Sequence, residues 1–188
     1  MTRRFLLSLS LLLLLGSLRP TAVFATITDP PGAVVNSDST LLWDAARRLT
    51  WADFCGTPAP TDQLHALTAA DIAVQVTCSG DKLTVSVQAI FRPFESWTRS
   101  PDSAPLLRHE QVHFDLTEIH ARLLRARLGK LRMTCRQAQT DLQPLIDAAF
   151  ATWKRAQDQY DEESNHGLDP KGQARWEQQV AAQLKTLP

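Results

Sequence analysis

The sequence predicts an α+β domain, a small antiparallel sheet or hairpin followed by a three-helix segment. Three observations carry this. Apolar residues alternate with polar ones from Ile72 to Phe91, apolar steps of three and four recur in three segments after Ala104, and the strand signals precede the helix signals without alternating with them.

Residues 1–25 read as a signal peptide and not as part of the fold. Arg3 and Arg4 precede an apolar run from Phe5 to Leu15 broken only by Ser8 and Ser10, and Val23-Phe24-Ala25 offers small residues for cleavage after Ala25. The run is short of the roughly 20 residues of a membrane span, although an uncleaved anchor is the alternative. No cysteine stands near the cut to take a lipid. Residues 26–40, with Pro30-Pro31-Gly32, read as a flexible lead-in. Residues 41–188 then form a single domain. Without Arg3, Arg4 and Arg19 the chain keeps 17 basic against 20 acidic residues, a formal charge of −3 that provides no footprint for nucleic acid. Export, to the periplasm or beyond the cell, would let disulfides persist. Among Cys55, Cys78 and Cys135 it predicts one bridge and one free thiol, with the pairing left open. No two of them have the CxxC spacing of a zinc ligand pair.

Trp43, Leu49, Trp51 and Phe54, punctuated by Gly56, Pro58 and Pro60, suggest a short strand or turn whose aromatics plug a core. Ile72, Val74, Val76 and Cys78 alternate, as do Leu83, Val85, Val87, Ala89 and Phe91 beyond Ser79-Gly80-Asp81-Lys82, which predicts a hairpin with one buried face. Helices should cover that face only. After a connector with Pro93, Trp97 and Pro101, Asp102 or Ser103 can cap a helix that runs to Gly129 with a broad apolar side. A second helix is expected from about Thr134 to Asp161, with Pro144 as a kink or as its start. Ser164-Asn165-His166-Gly167 breaks it, and Pro170 opens a third helix carrying Trp176, Val180 and Leu184.

The first helix contains His109-Glu110-Gln111-Val112-His113, the HExxH arrangement of zinc peptidases. Residues i and i+4 share a helix face about 6 Å apart along the axis, so both imidazoles can reach one ion. Glu110 stands one step round, where it can act as general base toward a water that zinc acidifies to a pKa of about 7. The plainer alternative is a solvated helix face that carries two histidines.

Zinc needs a third ligand, and a regular helix excludes the nearest acids. Asp115 lies about 160° and Glu118 about 140° round from His113, while His120 returns to the face about 10 Å further along. The ligand should therefore come from Tyr160-Asp161-Glu162-Glu163-Ser164-Asn165-His166-Gly167, where a helix ends. His166, at a glycine-containing turn that can aim it freely, and the carboxylates Glu163 and Asp161 are the candidates.

From about Leu49 to Leu184 the chain resembles a bacterial family of unassigned function described as predicted secreted zinc-dependent proteases. The resemblance rests on Leu49-Thr50-Trp51-Ala52-Asp53-Phe54-Cys55-Gly56, Ser96-Trp97, and Leu107 to Glu118 continuing to Ala121-Arg122. It extends to Tyr160 to Gly167, then Gln173 and Trp176. Cys55 stands where Lys is common, and Ser164 where Thr is usual. The resemblance implies a zincin-like site with His109, His113 and Glu110 in their usual roles, and His166 as the position that the later motif singles out. Thermolysin-like peptidases place a ligand Glu about twenty residues after the second His. Here Leu131 to Cys135 carries no carboxylate.

The expected function is that of an exported zinc (Zn2+) metalloprotease acting on a peptide or protein substrate, away from the membrane once the signal peptide is removed. Glu110 would serve as base and then as acid to the leaving nitrogen, with Tyr160 as first choice for oxyanion donor ahead of His120 and Arg108. An exposed hairpin edge could hold an extended substrate. Two alternatives stand beside it: a non-catalytic metal-binding or envelope interaction protein with a structural zinc, and an amidase acting on cell-wall peptides. A catalytic zinc keeps an open position and a structural one is closed by four protein ligands, which separates the first alternative from the hydrolases.

Overall fold

The computed structural model describes residues 40–80 and 82–188. The expected signal peptide and the expected lead-in up to residue 39 lie outside the described residues. The architecture is α+β, an antiparallel sheet followed by three helices. Strands β3 (Ala70–Ser79) and β4 (Lys82–Phe91) form the expected hairpin, paired from Ala70 with Phe91 to Ser79 with Lys82. Its two-residue loop needs a left-handed residue, and Gly80 supplies it at φ 59°. Strand β1 (Leu41–Leu42) pairs with the other edge of β4, giving the order β1-β4-β3, while β2 (Ala66–Leu67) and β5 (Trp97–Thr98) form a separate ribbon. The front aromatic segment is a 3-10 turn at Trp51–Asp53. From it Phe54 packs on Phe91 and Phe91 on Phe114, with ring centroids 5.2 and 5.8 Å apart.

Helix α1 (Ala104–Gly129) starts at Ser103, whose Oγ accepts the Leu106 N–H, with Pro105 in the first turn where its missing donor costs nothing. Its sequence suggests one buried side, yet α1 is enclosed almost all round. Phe114, Ala121, Leu124 and Leu128 face a core shared with the sheet, whereas Val112, Leu116 and Ile119 join a second core with Tyr160, Trp176 and Val180. Two of the three buried acids of α1 are paired, which makes their enclosure tolerable. Asp115 accepts from Trp43 Nε1 (2.8 Å), Arg48 (2.9 Å) and Gln111 (2.9 Å), and Glu118 accepts from Arg122 Nε (2.8 Å). The Leu49 N–H donates to Gln111 Oε1 at 2.7 Å, fastening the front motif to α1.

Helix α2 (Cys135–Ser164) opens with a Thr134–Gln137 capping box and carries Pro144 inside it. Helix α3 (Pro170–Thr186) is capped by Asp169. At Gly172 a β-carbon would overlap the Glu163 carbonyl, so α3 sits directly on the end of α2. No helix among the described residues is long and apolar enough to cross a membrane.

The bridge joins Cys78 to Cys135, leaving Cys55 free and exposed. It ties the hairpin tip to the start of α2 across 57 residues of sequence. Closing such a loop removes about 4 kcal/mol of chain entropy from the unfolded state. Replacing both Cys78 and Cys135 by Ser should lower the unfolding free energy by about 2–4 kcal/mol, read as a fall in urea midpoint with little change in slope.

Candidate metal centre

The helical spacing of His109 and His113 brings their Nε2 atoms to 3.1 Å from each other, with the rings nearly perpendicular at 89°. The last turn of α2 supplies a carboxylate against them. Asp161 Oδ1 lies 3.2 Å from His109 Nε2 and 3.0 Å from His113 Nε2. These three donor atoms form a nearly equilateral triangle made by two helices.

The end of α2 is shaped to reach this point. Asn165 and His166 take left-handed φ values of 48° and 53°, followed by Gly167 at 79°. The His166 N–H donates to the Asp161 carbonyl and the Asn165 N–H to that of Glu162, while Ser164 Oγ donates to the Tyr160 carbonyl. Gly167 lies so close to His109 that a β-carbon would stand 3.0 Å from its Cβ and Cγ. Gly167→Ala therefore meets both a steric and a dihedral obstacle. It should destabilise the protein by about 1–3 kcal/mol, measured by thermal unfolding.

The triangle fits a metal ion. Tetrahedral bonds of about 2.0–2.2 Å set neighbouring ligand atoms about 3.3–3.6 Å apart, and the edges here are only slightly shorter. Asp161 Oδ1 is buried, and no donor hydrogen is directed at it despite two imidazole nitrogens within 3.2 Å. Two imidazoles and a carboxylate that converge at this spacing offer three electron-pair donors to a cation. Their residues are His109, His113 and Asp161.

His166, the leading sequence candidate for the third ligand, stands just outside that set. Its Nδ1 is 3.5 Å from Asp161 Oδ1, and its side chain is 59% exposed. With Asp158, Asp161, Glu162 and Asn165 it lines an open depression of about 450 Å³. Glu163 turns away to α3, accepting from Gln159 and from Trp176 Nε1. Asp115 and Glu118 are occupied by the pairings above and, as their helical angles predicted, are not among the converging donors.

Glu110 is buried, and among the described residues its carboxylate accepts no hydrogen bond. Its charge reaches the centre. Burial pulls the His113 pKa down, but Asp161 and Glu110 outweigh that and leave it above its ordinary value. Tyr160 is completely buried, with its ring stacked on His109 at 4.7 Å and edge-on to His113 at 4.9 Å. Its hydroxyl lies 2.8 Å from Gln173 Oε1 and 3.2 Å from the His109 carbonyl, beneath the imidazoles. Burial pushes its pKa well above the usual phenol range, and Gln173 only partly offsets this. Half-buried His120, lowered in pKa by burial, is not one of the converging donors. Arg108 pairs with Glu177 at 3.5 Å.

Two residues passed over as site residues touch the ligands. Gln157 Oε1 lies 2.6 Å from His113 Nδ1, and Gln173 Oε1 lies 3.3 Å from His109 Nδ1. Gln157 shares a helix face with Tyr160 and Asp161 by the i, i+3, i+4 rule, which is the one sequence signal that could have found it.

Residues 46–167 match the profile of a family described as "Bacterial protein of unknown function (DUF922)", and the chain belongs to that family. No curated protein and no solved structure matches the chain.

Proposed function

We propose that this member of a bacterial family of unknown function is an exported zinc-dependent hydrolase of peptide bonds, with His109, His113 and Asp161 as the metal ligands. The observation that carries this reading is the triangle formed by two imidazole nitrogens and a buried carboxylate oxygen, 3.0–3.2 Å apart. Zinc at this point would supply Lewis acidity, lowering the pKa of a water to about 7 and polarising a carbonyl. Glu110 takes the proton from the attacking water and returns it to the leaving nitrogen. His166, exposed at the depression, donates to the tetrahedral oxyanion, since the Tyr160 hydroxyl is already engaged below the rings.

Two histidines and one carboxylate also suit iron(II) in oxygenases. What favours hydrolysis is Glu110, a carboxylate beside the ligands with no bonding partner of its own among the described residues. A structural ion is disfavoured because three protein donors converge among the described residues rather than four. The Cys78–Cys135 bridge supports export to an oxidising compartment.

The purified protein should contain about one equivalent of zinc and cleave members of a peptide library. A chelator should abolish cleavage and added zinc should restore it. A zinc-loaded protein inert toward both protein-derived and cell-wall peptides would overturn the hydrolase reading.

Acid should compete with the metal. His113 is raised in pKa, so the zinc-free protein gains stability from its imidazolium below the ordinary value of about 6.5 and loses it as pH rises through the raised value. Zinc requires the neutral ring, so the loaded protein follows the opposite trend. Thermal unfolding across pH should show zinc stabilisation growing from pH 5 to 8.

A further inference from the structure

We infer that Gln157 and Gln173 are positioning residues that lock His113 and His109 in the Nδ1–H tautomer, so that both Nε2 lone pairs face the ion site before any ion arrives. The inference rests on the metal reading for its purpose, but the tautomers themselves are fixed by the hydrogen-bond chain.

An amide oxygen can only accept and an amide nitrogen can only donate, so the orientation of each glutamine decides the state of the imidazole it touches. Gln157 Nε2 lies 3.0 Å from the His113 carbonyl and 3.1 Å from Thr117 Oγ1. Thr117 spends its own proton on that same carbonyl at 2.8 Å and accepts from Trp153 Nε1, an obligate donor, at 3.2 Å. With its NH2 placed there, Gln157 can present only Oε1 to His113 Nδ1, which must carry the hydrogen. Gln173 is fixed from its other end. Its Nε2 donates at 3.1 Å to the Glu177 carboxylate, which can only accept and is held by Arg108. That leaves Gln173 Oε1 for the Tyr160 hydroxyl and for His109 Nδ1.

Both rings then present unprotonated Nε2 atoms to each other and to Asp161 Oδ1. In these tautomers neither ring donates to Asp161 Oδ1, which is left for a cation. Partners of this outer kind orient metal-binding histidines and commonly change metal affinity by about 10–100-fold when removed. Here they are neutral amides, so Asp161 supplies the only negative charge among the three ligands.

The test uses the full chain labelled with 15N at histidine, free of metal, at alkaline pH where both rings are neutral. Long-range 1H–15N correlations should show His109 and His113 as Nδ1–H tautomers, the form that water disfavours for a free side chain. Gln157→Met should shift His113 alone toward the Nε2–H form, and Gln173→Met should shift His109 alone. That cross-selectivity separates loss of a positioning bond from loss of the fold. Each variant should bind zinc about 10–100-fold more weakly. Parent protein with Nε2–H rings, or a tautomer change that leaves zinc affinity untouched, overturns the inference. Nδ1–H rings in a parent protein that binds no divalent ion would instead overturn the metal reading and uphold the hydrogen-bond assignment.

Discussion

Asp161→Ala is expected to abolish stoichiometric zinc while leaving the fold intact. The Asp161 side chain contacts His109, His113 and His166, and it closes no helix end, because the left-handed turn that follows is held by its carbonyl and not by its carboxylate. Circular dichroism should therefore match the parent. Zinc affinity should fall well beyond the roughly 10–100-fold that outer partners produce, since a ligand itself is removed. His166→Ala is the matched control, expected to keep about one equivalent of zinc and to lose turnover. If His166→Ala loses the metal and Asp161→Ala keeps it, the proposed ligand set is wrong. A second signature belongs to the zinc-free protein. Burial would raise the Asp161 pKa, but the adjoining imidazoles outweigh it and hold the carboxyl below the usual range. Its contribution to stability is present above about pH 4 and is lost as pH falls through the depressed value. In Asp161→Ala that acid limb should be missing.

The parts of this centre governed by local periodicity were legible in the sequence, and the parts set by how helices meet were not. HExxH on a capped helix brings two imidazoles to one face with a carboxylate beside them because four residues make about one turn, whatever surrounds them. The hairpin was equally legible from its period of two, and Gly80 marks its loop. Choosing between Asp161, Glu163 and His166 required the angle at which α2 crosses α1. Sequence favoured His166 because a turn can aim a side chain freely, but α2 stays helical through Ser164 and so brings Asp161 under the histidines first. Gly172 is part of the reason. It lets α3 press on the Glu163 carbonyl, and the Glu163 side chain is drawn to Trp176 and away from the site. The enclosure of α1 was hidden for a related reason. Asp115 is paired by Trp43 and Arg48, which reach it from a distant part of the chain, whereas Glu118 is paired by Arg122 one turn further along α1 itself.

Glu110→Gln is expected to retain zinc, retain the fold and lose hydrolysis. The substitution preserves shape and removes the group that takes and returns the proton, so kcat should fall by about 10²–10⁴-fold, equivalent to about 3–5 kcal/mol of transition-state stabilisation. KM should change little, because Glu110 is assigned a part in proton transfer and not in holding the substrate. Its stability effect is diagnostic as well. Glu110 is a buried carboxylate that no donor meets among the described residues, so removing its charge should leave the unfolding free energy unchanged or raise it. Glu118→Gln supplies the contrast within the same helix. Glu118 is buried with Arg122 at 2.8 Å, so the amide breaks a formed ion pair, lowers stability and leaves the activity of the folded protein alone. Glu110 thus stands beside two imidazoles with no hydrogen-bond partner among the described residues, whereas Asp115 and Glu118 on the same helix are paired. In the proposed reading the first is assigned to chemistry and the other two to structure. Equal turnover by Glu110→Gln and the parent would remove that distinction, and with it the case for hydrolysis.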